Sequence, residues 1–233
     1  DINWYHNVMK LLRNWYFVQT AAVNPDSRGV EFKNEVMGEL IRFVSSHEFG
    51  HTIGLPHNMG SSSAYPVDSL RSATFTKKYG TSPSIMDYAR FNYVAQPGDE
   101  GVALMPSQWN TPNVVVYDIY SVKWGYKPIL DVSVEEEKSI LKSWIMEKAN
   151  DLKYRFGSAG IDPSSQTEDL GDDAVKASEY GIANLKRIMP KLMEWTTKDG
   201  ETYTELGYMY GQVLGQFGRY MGHVTNNIGG IYQ

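Results

Sequence analysis

The feature that most constrains this chain is a set of histidines at fixed spacing in the segment SSHEFGHTIGLPHN, where His47, His51 and His57 stand with Glu48, Gly54 and Pro56. Residues four apart on a helix point to nearly the same side, about 6 Å apart along the axis, so His47 and His51 can close on one point. Gly54 lies where a glycine can take the left-handed conformation that ends a helix and turns the chain. Pro56 then keeps the helix from resuming. That turn can carry His57 back toward the same point. Three imidazoles converging in this way suit zinc, which takes nitrogen ligands at about 2.0–2.1 Å in a tetrahedron and, in catalytic sites, keeps one position open. Glu48 points to the side of the open position, from which a carboxylate can take a proton from water. An accidental match to the three histidines, Glu48 and Gly54 is expected on the order of once in a hundred thousand chains of average composition. A structural ion is usually closed by four protein ligands, and no obvious fourth stands beside the motif.

Composition narrows the surroundings of such a site. The 233 residues suit one large domain or two small ones, with ample material for a core. An apolar fraction of 42% marks the chain as globular rather than disordered. Cysteine is absent, which removes disulfides, thiolate zinc sites and cysteine nucleophiles together and leaves nitrogen and oxygen as the only zinc donors. Its absence leaves the compartment open. The net charge of -5 comes from scattered residues, so no nucleic-acid footprint is visible. No apolar run reaches the roughly 18 residues of a membrane span. The chain opens at Asp1 in an aromatic-rich segment without a signal peptide, and is expected to be a piece of a longer precursor.

Periodicity organises the rest. Tyr5, Val8, Met9, Leu12, Trp15 and Tyr16 recur at helical spacing, which predicts a packed helix over 3–21. A turn-rich linker of Asn24, Pro25, Asp26 and Gly29 follows. A second helix is predicted from about Glu35 to Thr52, its stripe of Met37, Leu40, Ile41 and Val44 leading to His47 and His51. Residues 58–112 are rich in Gly, Ser, Pro, Asn and Asp and read as a long irregular functional loop. Val114, Val115 and Val116 allow a short extended piece, and Asp118 to Trp124 a short helix stopped by Gly125. Ser133 with Glu136 predicts a capping box opening a helix to about Asn150, with Ile140, Leu141, Trp144 and Ile145 inward. After a linker at 157–165, helices are expected near 172–196 and 202–223. The last carries Gly207, Gly211, Gly215, Gly218 and Gly222, each costing up to about 1 kcal/mol relative to Ala, so close packing of another helix against this stripe is expected.

The long histidine motif resembles that of the metzincin metallopeptidases, and Ser84-Ile85-Met86-Asp87-Tyr88 is similar to the Met-turn of astacins and serralysins. The resemblance implies that Met86 lies beneath the three histidines and that Tyr88 reaches toward the metal and stabilises an oxyanion. Asp118-Ile119 with Trp124-Gly125 resembles the helix that follows the Met-turn in serralysins and matrixins. The stretches RFVSSHEFGHTIGLPHN, SPSIMDYARFNYVAQPGD, YDIYSVKWGY and QTEDLGDDAVKASEYG are similar to the large zinc-dependent metalloproteases of Bacteroidetes. That likeness implies a cell-envelope or secreted bacterial precursor, and a peptidase of this kind would take a protein or peptide as its substrate. In a metzincin a sheet edge upstream of the active-site helix presents the substrate, whereas here a helix and a turn precede it.

The expected architecture is therefore mainly α. It comprises the C-terminal part of a metzincin-type catalytic domain over 1–130, within a parent domain of α+β type, and a helical subdomain over 131–233. The expected activity is peptide hydrolysis with one zinc held by His47, His51 and His57 and with Glu48 as general base. The alternative is a non-catalytic module that keeps the zinc site and binds a protein or glycan. Asp162, Glu168, Asp169, Asp172 and Asp173 form an acidic cluster that could hold calcium, although acids at a helix start are commoner as caps and dipole partners. His6 and His223 read as ordinary helix residues.

Overall fold

A computed structural model describes residues 5–108 and 115–232, and among them there is no β-strand. Among the described residues eight α-helices follow one another: α1 (His6–Thr20), α2 (Asn34–Thr52), α3 (Ala73–Tyr79), α4 (Val116–Tyr126), α5 (Val134–Lys148), α6 (Ala174–Ile188), α7 (Leu192–Thr196) and α8 (Thr204–Thr225). The mainly helical class expected from periodicity is the class observed. Val114 and the end of the predicted loop, residues 109–112, lie outside the described residues. Val116 already belongs to α4.

The apolar stripes of α1, α6 and α8 meet, with α6 against α8 and α1 against both and against α2. The largest core joins Phe17 and Val18 of α1 to Leu185 and Ile188 of α6 and Val213 and Tyr220 of α8, on either side of residue 130. Leu12, Tyr16, Leu40 and Phe91 form a second cluster that seats α2 on α1. The stretch predicted as one helix over 172–196 divides at Met189–Lys191 into a 3-10 turn, where Pro190 lacks an N–H to continue the ladder.

The predicted irregular loop is irregular but deeply buried. Residues 58–63, 80–87 and 91–96 are buried throughout, and α3 interrupts them, capped by the Ser72 hydroxyl and ended by Gly80. Backbone polar groups this deep need partners, and side chains supply them: the Ser107 hydroxyl accepts from the Thr81 and Ser82 N–H groups at 3.1 and 3.2 Å, and Asn92 donates to Leu70 and Ala103 carbonyls.

Two packing expectations are corrected. The capping box of Ser133 and Glu136 forms as expected, yet α5 has no buried residue and Ile145 is 47% exposed. Ile140, Leu141 and Trp144 are only half-buried. The helix is attached at its side to α4, whose Trp124 indole donates to the Leu141 carbonyl at 3.3 Å. The α8 glycines meet no neighbour: a Cβ placed at Gly207, Gly211, Gly215, Gly218 or Gly222 would have open space around it. The face of α8 that packs is the one bearing Met209, Val213, Gln216 and Tyr220, so the glycines lie away from it.

Candidate metal centre

Helix α2 supplies two of the three histidines, and its C-terminus determines where the third can go. Gly54 adopts φ +88, the left-handed conformation expected of it. Its N–H bonds to the His51 carbonyl at 3.0 Å, and the Leu55 N–H to the Gly50 carbonyl at 3.1 Å. That pair of bonds closes the helix and reverses the chain. The reversal carries His57 back until its Nε2 lies 3.0 Å from Nε2 of His51. Ligand nitrogens of His47, His51 and His57 all fall within 4.8 Å of one another, the one such cluster among the described residues.

The donor set fits a metal ion. His47 Nδ1–H donates to the Ile85 carbonyl at 2.7 Å and His51 Nδ1–H to the Leu55 carbonyl at 2.9 Å. Each bond leaves the lone pair on Nε2, facing the cluster, and fixes the ring. His47 Nε2 is buried with no hydrogen-bond partner, as a metal-directed nitrogen should be. Burial pushes the His47 imidazole down to about 4, with the charges of His51, His57 and Arg90 adding to the effect and the Ile85 bond opposing it. Burial also lowers His57, while Glu48 opposes that shift. Neutral imidazoles are the form a metal takes. Two nitrogens on one tetrahedral zinc stand about 3.3 Å apart by the ordinary bond lengths, close to the 3.0 Å between His51 and His57.

Met86 packs against α2 at Gly50, between His47 and His51 in the sequence. A Cβ on Gly50 would land on the Met86 sulfur, so the glycine is what lets the turn approach α2. Tyr88 follows, its ring 5.0 Å from His47 and 4.5 Å from His57 between centroids. Its phenol is raised by burial and by the nearby Glu48 carboxylate, and lowered by Arg90. The Glu48 carboxylate thus acts in the same direction on both Tyr88 and His57, raising each. The three histidines and Tyr88 are thus brought together in the fold.

Several residues that hold the turn were not evident from sequence. Asp118 of α4 accepts from the Ser84 hydroxyl at 2.5 Å and the Ile85 N–H at 2.8 Å, so the same peptide that orients His47 is anchored by α4. Asn58, fully buried, receives the Gly157 N–H at 2.9 Å and donates to the Arg155 carbonyl at 3.0 Å, while its own N–H meets the Met86 carbonyl. A buried asparagine beside His57 was the signal available; its partners, nearly a hundred residues away, were not. A cavity of about 750 Å³ lined by Tyr117, Tyr120, Trp124, Tyr126 and Phe156 opens beside the Ile53–Pro56 turn. None of the three histidines lines it.

The profile of the Met-zincin family matches residues 29–233. The chain belongs to the Met-zincin family. No curated protein and no solved structure matches it. Membership and the histidine cluster together make this Met-zincin a zinc-metallopeptidase-like domain. Its helical architecture is that of the C-terminal part of a metzincin.

The acidic cluster of this Met-zincin does not gather around one point. Asp162 pairs with Arg155 and caps Ser164, Asp172 accepts from the Val67 N–H, and Asp173 caps α6. Glu168 lies between two arginines, and Asp169 is buried near Asp87. The calcium expected as a possibility from sequence thus finds its carboxylates otherwise engaged or dispersed. His223 is an α8 residue whose Nε2–H donates to the Thr167 carbonyl.

Proposed function

We propose that this chain is the metal-bearing part of a peptidase that hydrolyses peptide bonds with Glu48 as general base. The observation that carries this reading is the convergence of three imidazoles, two of them oriented by backbone carbonyls, with the Tyr88 ring against the cluster. His47, His51 and His57 would hold the ion, and zinc is the divalent cation their geometry and nitrogen-only chemistry suit. Zinc, when bound, supplies a Lewis acid that makes water more acidic and polarises the scissile carbonyl. Glu48 accepts the proton of the attacking water and returns it to the leaving amine. Tyr88 donates its phenolic hydrogen bond to the oxygen on which negative charge develops. Met86 and the Ile85 carbonyl keep the histidines in place.

In this reading the partners are protein or peptide substrates, and the bacterial envelope or secretion is the setting that the family resemblance supports. No helix among the described residues is long and apolar enough to cross a membrane. The test is Glu48→Gln. Zinc, measured by emission spectrometry, should remain at one per chain while cleavage of a mixed peptide library falls to the level seen with chelator. Cleavage retained in Glu48→Gln would remove the general-base assignment. Zinc binding without cleavage by the wild-type chain would favour the second reading, a protein- or glycan-binding module, which the lack of a strand among the described residues keeps in view.

A further inference from the structure

The three non-glycine residues with positive φ among the described residues are Arg90, Asp131 and Glu168, at +51, +59 and +69. Asp131 is on an exposed loop. The other two are hydrogen-bonded to each other: the Arg90 guanidinium pairs with the Glu168 carboxylate, and the side chains are 12% and 5% exposed. Each such backbone conformation costs on the order of 1–3 kcal/mol and persists only where the surroundings enforce it. Burying an ion pair is also a poor way to gain stability, because desolvation offsets the attraction. Two strained residues, far apart in sequence and joined by a buried ion pair, therefore call for a reason beyond folding.

Their surroundings supply one. The guanidinium carbon of Arg90 sits 3.1 Å from the centroid of the Trp15 ring and 5.7 Å from that of Tyr88. Arg219 of α8 reaches the other oxygen of Glu168, a charge contact at 2.9 Å rather than an aligned hydrogen bond. Two arginines and one glutamate leave one net positive charge. Burial depresses Arg90, yet Glu168 opposes the shift, and a guanidinium stays charged in proteins. That charge acts on both His47 and Tyr88.

We propose that Arg90 is a positioning residue for Tyr88, clamped between Trp15 and Glu168 so that it holds the phenol against the histidine cluster and places a fixed positive charge behind the developing oxyanion. This deepens the peptidase reading and rests on it. A charge fixed before the reaction needs no reorganisation when the oxyanion forms. Glu168 and Arg219 bind the clamp to α8, and Trp15 binds it to α1, so the tyrosine is set by the helical core rather than by its own loop.

A double-mutant cycle on the full chain, zinc-loaded and assayed on a peptide that the wild type cleaves, tests the proposal. Arg90→Gln should lower kcat by about 10- to 100-fold with KM changed by less than about threefold. Added to Tyr88→Phe, it should cost less than about twofold more, because the two act as one unit. Arg90→Lys should recover part of the loss. In metal-free protein carrying 3-fluorotyrosine at position 88, the fluorine resonance should be narrow in the wild type and shifted or broadened by Arg90→Gln. Additive losses in the double mutant, or an unmoved fluorine resonance, would overturn the proposal. If Tyr88→Phe leaves cleavage intact, the role of Tyr88 in the peptidase reading fails, and the fluorine signal still decides whether Arg90 holds the ring. Should Arg90→Gln not fold, as thermal unfolding would reveal, Glu168→Gln carries the same expectations.

Discussion

The irregular segment 58–96 and the regular helix α5 stand in opposite relation to the core. The segment has little helical period, yet most of it is buried and it carries the turn whose Ile85 carbonyl accepts from His47. Helix α5 has a complete capping box, acids in its first turn and Lys148 in its last, and buries nothing fully. Local signals suffice to form a helix, since caps and dipole partners are satisfied by neighbours in sequence. They do not say whether a helix is needed by the core. Conversely, a loop can be the best-packed part of a molecule when buried serines, asparagines and aspartates pair its backbone.

The contrast can be broken most forcefully at the segment. Asp118→Ala should leave the Ser84 hydroxyl and the Ile85 N–H without their acceptor and destabilise by about 3 kcal/mol, with a weaker hold on zinc because the Ile85 carbonyl orients His47. Urea unfolding and a zinc competition titration measure both; a loss under 1 kcal/mol would mean the turn stands without α4. Gly50→Ala presses on Met86 and should cost about 1–3 kcal/mol. An unchanged unfolding midpoint would show that the turn can move away from α2 freely.

A subtler effect concerns pH. Asp169 is fully buried, and burial followed by the nearby Asp87 raises its carboxyl well above the ordinary value. The folded protein then keeps a proton that the unfolded chain releases, so the stability this group contributes is present below the ordinary carboxylate range and declines as pH rises toward the raised value. Asp169→Asn should flatten that decline in unfolding curves taken from pH 4 to pH 8; an unaltered slope would place the proton elsewhere. Smallest of all should be the changes on α5. Ser133→Ala removes a cap worth about 1 kcal/mol to that helix, visible as faster amide exchange in α5, and Ile145→Ser should alter global stability by less than about 0.5 kcal/mol. A larger loss for Ile145→Ser would show that α5 is packed after all.

The metal centre was legible because its information is local. Four-residue spacing on α2, one glycine at the helix end and a proline after it place His47, His51 and His57, and a short motif supplies Met86 and Tyr88. Periodicity also located most of the helices, although Pro190 divides the stretch read as one. Which faces are covered was not legible: the glycines of α8 read as a packing stripe and lie in the open, and Ile145 reads as inward and is exposed. An apolar or small residue at helical spacing says that a face exists, not that another element meets it.

The sequence by itself determined the convergence of His47, His51 and His57 and the reversal after α2, because each depends on bond geometry within a few residues. Only the tertiary structure decided what holds them. Asp118 meets Ser84, Asn58 meets Gly157, and Glu168 meets Arg90 across separations that no local rule spans, since those contacts exist only once the helices have packed and excluded water from the loops between them.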